Sequence, residues 1–64
     1  MKNIIKEVRE SKQMSQEELS IQAGITRTFL SGIESNKRNP SVFIGVKLAM
    51  ALGKTVEEIF LINK

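Results

Sequence analysis

Apolar residues recur at intervals of three and four along the 64-residue chain, the spacing that puts them on one face of an α-helix. The spacing predicts a first helix over residues 3–12, with Ile4, Ile5, Val8 and the stem of Lys12 inward and Lys6, Glu7 and Glu10 outward. Met14 then packs back on the core. Ser15, Gln16, Glu17 and Glu18 form a capping box that opens a short helix over 16–23, with Leu19 and Ala23 inward and Gly24 as its end. Thr26 caps a third helix, 27–35, which turns Leu30 and Ile33 inward. A polar, basic loop over 36–40 follows. Ser41 caps a fourth helix, 42–52, whose inward stripe is read as Val42, Val46, Ala49 and Leu52, extended by Leu48. Gly53 ends it, and Thr55 with Glu58 makes a second capping box before a short fifth helix. The segment Phe60, Leu61, Ile62 is too apolar for a free end and is expected to pack on its own domain or on another copy; a small pairing between residues 1–4 and 60–62 is a further expectation. One proline and no alternating apolar run leave no case for a sheet, so the chain reads as a single all-α domain.

Composition narrows the chemistry. The chain has no cysteine, histidine, tyrosine or tryptophan. Disulfides, thiolate metal sites and an imidazole base are therefore absent, and a domain this small encloses no substrate-sized cleft. The expectation is a binding protein that is not an enzyme and needs no metal or cofactor. No apolar run approaches the roughly 18 residues of a membrane span, and early charges at Lys6, Glu7 and Arg9 break any signal-peptide core, so the chain reads as cytoplasmic, without a membrane partner. It leaves no room for a small-molecule-sensing domain. Ten basic against seven acidic residues give a net charge of +3, which points to an anionic partner, nucleic acid first, or to ordinary solubility charge.

Residues 16–34 hold the informative pattern: a short helix, a tight turn at Gly24 and a second short helix. Ser20 and Ala23 are small enough for the helices to approach closely, and Leu19, Ile25, Leu30 and Ile33 fill the wedge between them. The stretch SQEELSIQAGITRTFLSGIESNKRNPS, residues 15–41, resembles the helix-turn-helix of the Cro/CI-type (Xre-like) repressors, and the likeness extends over about residues 4–60. The resemblance implies a compact five-helix lambda-repressor-like fold, a homodimer, and sequence-specific binding to double-stranded DNA with the third helix in the major groove. The run RTFLSGIE is similar to a subgroup that includes controller proteins of restriction–modification systems.

Carried over by position, Arg27 and Thr28 are implied base readers and Ser31, one turn on, a third. Arg27 can fork onto guanine O6 and N7, or it can clamp a phosphate. Phe29 either packs on a thymine methyl or sugar or fills the core against the fourth helix. Gly32 stands where relatives carry a longer, base-reading side chain; the expected consequence is a closer backbone approach to DNA and readout confined to the helix start. Gln16 is an implied phosphate anchor, or else a solvated first-turn residue. Asn36, Lys37, Arg38 and Asn39, with their backbone amides, are implied phosphate contacts, which set register without reading sequence.

Arg9 and Glu34 form a family-type structural ion pair between the first and third helices. In the fourth helix Phe43, Ile44 and Met50, together with Ile21 in the second, are apolar where relatives are polar. With Ile59, Leu61 and Ile62 they are candidates for a dimer interface, or the small core absorbs them. The functional expectation is a homodimeric repressor on an inverted-repeat operator. The alternatives are a restriction–modification controller and, from a different class, an antitoxin or adaptor that uses the same fold to bind protein.

Overall fold

Four of the five helices begin or end where local chemistry dictates. The structure, a computed structural model, describes residues 3–60, and the expectations placed on Leu61 and Ile62 lie outside them. The helices are α1 (Ile5–Ser11), α2 (Gln16–Ala23), α3 (Arg27–Glu34), α4 (Val42–Leu52) and α5 (Val56–Phe60). Ser15 Oγ accepts from the Glu18 amide while the Glu18 carboxylate accepts from the Ser15 amide, closing the first capping box. Thr26 and Ser41 accept from Phe29 and Ile44 in the same way, and Thr55 and Glu58 repeat the reciprocal box ahead of α5. Gly24 leaves α2 at φ +70, a left-handed conformation that only glycine takes at little cost.

The helices enclose one core in which Ile5, Leu19, Leu30, Ile33, Leu48, Leu52 and Ile59 are fully buried. Each such side chain contributes roughly 1.5–3 kcal/mol of transfer free energy. Met14, Ile25 and Phe29 pack against this cluster from its edge. The Ile4 amide donates to the Ile59 carbonyl at 2.8 Å, which ties the start of the chain to α5.

Four features differ from the sequence reading. Helix α1 starts at Ile5, because Asn3 stands before it and accepts the Ile5 amide on its side chain. Lys12 is exposed, and Arg9 takes the inward place instead. Helix α4 is rotated from its expected phase: Gly45, Leu48, Ala49 and Leu52 face in, while Val42 and Val46 are exposed. The Phe60 ring packs over Gly45, its nearest carbon 3.4 Å from where a Cβ would stand, so this side of α4 faces α5 and the core. Ile59, expected between copies, is fully buried inside this domain, and Ile44 packs on the core.

Candidate nucleic-acid interface

The turn at Gly24 and the Thr26 cap fix where α3 begins, and its first residues, Arg27 and Thr28, are fully presented to solvent. Ser31 lies one turn later on the same side. Arg27, Thr28, Ser31 and Gln16 line one shallow depression, and Gln16 and Ser31 line a second beside it with Lys6, Glu34 and Ser35. The sequence reading left Lys6 as an ordinary outward residue of α1. The fold brings it to the flank of α3, beside Gln16 and Ser31.

Beneath this surface runs a chain of polar contacts. Arg9 Nε donates to Glu34 Oε2 at 2.7 Å and its second terminal nitrogen to Oε1 at 3.2 Å, a bidentate pair whose side chains are 9% and 4% exposed. The remaining Arg9 nitrogen donates to the Met14 carbonyl at 2.8 Å. The Glu34 hydrogen bond holds the Arg9 guanidinium above its ordinary pKa, outweighing the opposing effect of burial. Gln16 Nε2 also donates to Glu34, at 3.0 Å, and Gln16 Oε1 accepts from Arg27 Nε at 3.5 Å. A buried ion pair thus braces, through one glutamine, the first arginine of α3. Gln16, expected at a phosphate, has both ends of its amide engaged within the chain.

The loop after α3 differs from expectation in two ways. Three of its amides are engaged within the chain: Asn36 donates to the Ile33 carbonyl, and Lys37 and Arg38 both donate to Gly32 O. They close α3 with the chain turning at Asn36 (φ +65), so the loop offers its side chains and not these amides. The space left by Gly32 is also occupied. A Cβ there would stand 3.0 Å from Arg38 Cγ and 3.2 Å from Cδ, so the arginine stem lies where a longer residue would project. The expected close approach of DNA to Gly32 is corrected accordingly. The Arg38 guanidinium then reaches the half-buried Phe29 ring, 5.9 Å from its centroid. Lys37 and Asn39 are exposed.

On α4, Phe43 and Met50 are 69% and 74% exposed, and Ile21 of α2 is 71% exposed. Lys47 stands between Phe43 and Met50 with its ammonium 4.7 Å from the Phe43 ring centroid. Among the described residues no group of three or more acidic side chains is placed to hold a metal, and no helix is long and apolar enough to cross a membrane.

Comparison with known proteins agrees with this architecture. The helix-turn-helix family model matches residues 5–59. An uncharacterized HTH-type transcriptional regulator of Methanothermobacter thermautotrophicus is 32% identical over 65 residues, covering 100% of this chain and 94% of that protein. The restriction–modification controller protein C.AhdI of Aeromonas hydrophila superposes with a TM-score of 0.82 at 38% identity, over 88% of this chain and 85% of that one. SinR of Bacillus subtilis, a master regulator for biofilm formation solved in complex with DNA, superposes with a TM-score of 0.76 at 37% identity, over 83% of this chain and 86% of that one. With five helices on one core, a glycine turn between α2 and α3 and a family match over nearly its whole length, this chain belongs to the Cro/CI-type (Xre-like) helix-turn-helix family.

Proposed function

We propose that this protein is a DNA-binding transcriptional regulator that works as a homodimer on an inverted-repeat operator. The observation that carries the reading is the brace beneath α3: the solvent-facing Arg27 is tied through Gln16 to the buried Arg9–Glu34 pair. The Gln16 contact is a long one, 3.5 Å, and it sets Arg27 beside Thr28 and Ser31 at the exposed start of α3. In this reading Arg27, Thr28 and Ser31 meet base edges in the major groove. Phe29, held under Arg38, supports that helix end and lends its exposed edge to a sugar or a thymine methyl. Lys6, Asn36, Lys37, Arg38 and Asn39 contact phosphates, and Gln16 reaches one only by releasing a partner.

The dimer is assigned to the outer face of α4, through Phe43 and Met50, with Ile59 removed from the contact because the core holds it. Blocking a promoter is the repressor role assigned to it, in the cytoplasm, and likeness to C.AhdI and SinR supports a regulatory role. Selection of bound duplexes from a random pool tests the reading. It predicts enrichment of an inverted repeat whose half-site centres lie about 34 Å apart, one helical turn. A folded protein that enriches no sequence would instead favour an antitoxin or adaptor, a second reading that rests on the exposed Phe43 and Met50.

A further inference from the structure

Asn3 has no assigned role beyond standing ahead of α1, yet every hydrogen-bonding group of its side chain is engaged. Its Oδ1 accepts from the Ile5 amide at 3.0 Å, and its Nδ2 donates to the Ile33 carbonyl at 2.8 Å and to Asn36 Oδ1 at 3.0 Å. Two of these partners are backbone groups of fixed polarity. An amide N–H cannot accept and a carbonyl cannot donate, so the Asn3 side chain has one possible orientation. That orientation dictates the next one. Asn3 presents an N–H to Asn36, so Asn36 must turn its oxygen inward and its NH2 group outward.

The Asn36 NH2 has no hydrogen-bond partner among the described residues and sits on an exposed residue in the left-handed turn that ends α3. Its chain neighbour Ser35 lines the hollow shared with Lys6, Gln16 and Ser31. A free asparagine amide can show either its donor end or its acceptor end to an incoming group. Here only the donor end is shown, which suits an anionic acceptor and repels a donor.

We infer that Asn3 is a positioning residue for DNA binding: it locks the Asn36 amide so that its NH2 group, and not its oxygen, faces outward to donate to a phosphate oxygen. This rests on the proposed DNA-binding reading, and it adds a residue 33 positions away in sequence that touches no DNA itself. Asn36 makes the contact, and Asn3 sets its polarity.

The test is Asn3→Asp, alone and with Asn36→Ala. The aspartate keeps an acceptor for the Ile5 amide, so α1 retains its start. It can donate neither to the Ile33 carbonyl nor to Asn36 Oδ1 and instead accepts from Asn36 Nδ2, which turns the Asn36 oxygen toward the DNA. Affinity for selected and random duplexes should fall together by about tenfold, the weight of one hydrogen bond to a charged group. In the Asn36→Ala background only the added charge and the lost Ile33 bond remain, so the same change should cost clearly less than it does beside an intact Asn36. An equal loss in both backgrounds, or no loss in either, overturns the inference. If Asn3→Asp folds poorly, the side-chain amide resonances of the unmodified protein give the answer. Adding duplex should shift the Asn36 NH2 pair and leave that of Asn3 in place, and the reverse pattern overturns the inference. Arg27→Ala and Lys37→Ala separate the two levels of the argument. If both weaken DNA binding while the Asn3–Asn36 cycle is null, only the positioning role is lost; if neither does, the DNA-binding reading fails and this inference with it.

Discussion

The α2–α3 surface and the outer face of α4 are both exposed, and they are built on opposite principles. At α3, Arg27 is joined to Gln16, Glu34 and Arg9 by directional bonds, and the last two side chains are buried. On α4, Phe43 and Met50 stand in solvent with a single lysine laid between them. Directional bonds fix atoms in place, which is what reading a base edge requires. Apolar area fixes little by itself, but it supplies non-directional association, which suffices to join two identical copies. Under the proposed function, recognition and assembly are therefore separate, and each should be open to damage without the other.

The largest effect should come from cutting the brace at its root. Arg9→Ala leaves the Glu34 carboxylate buried with only Gln16 as a partner. Breaking one side of a buried pair costs about 3–5 kcal/mol, comparable with the whole stability of so small a domain. Thermal unfolding followed by circular dichroism should show the cooperative transition lost or lowered by tens of degrees. A midpoint within a few degrees of the unmodified protein would show that the pair does not hold α3.

Next in size is the α4 face. Phe43→Ser with Met50→Ser should leave the unfolding midpoint of the dilute monomer nearly unchanged, since both side chains are mostly exposed there. It should weaken dimerisation at least about tenfold, as the loss of a central apolar anchor does. Sedimentation equilibrium reads this directly, and an undisturbed dimer would move the interface elsewhere. Lys37→Ala is gentler. It should weaken selected and random duplexes alike and reduce the salt slope of binding by about 0.9 for each copy in the dimer, the share of one phosphate contact.

The smallest effect concerns pH. The Thr55 backbone amide and hydroxyl hold the Glu58 carboxylate below its ordinary pKa. A group depressed on folding adds stability above its unfolded pKa and loses it as the pH falls through the folded value. Stability should therefore decline modestly as the pH drops below the ordinary carboxylate range. Glu58→Gln should flatten part of that decline, and identical pH profiles for the two proteins would remove the capping box from the account.

Much of this was legible in the sequence because it is local. Ser15, Thr26, Ser41 and Gly24 act within a few residues of themselves, so their types and spacing suffice to place helix ends. The Arg9–Glu34 contact spans 25 residues and was legible only through the family pattern around it. What stayed hidden depends on partners remote in sequence. Helix α4 is apolar nearly all round, so its phase was undetermined until Phe60 settled over Gly45. Ile59 looks the same in a sequence whether the core or a second copy covers it. Gly32 signalled an empty position, yet Arg38 fills it from the following loop. Asn3 gave no signal, because an asparagine near a terminus is ordinary until Ile33 and Asn36 arrive beside it.

The central claim is that the braced start of α3 reads sequence. Binding of the unmodified protein and of Arg27→Ala should be measured on the selected duplex, on its single-base variants and on a random duplex. The account predicts a loss of about 1–3 kcal/mol for each half-site of the selected duplex, indifference to substitution at one base pair of each half-site, and little change on random DNA. Equal losses on selected and random duplexes would make Arg27 a phosphate clamp and contradict the claim.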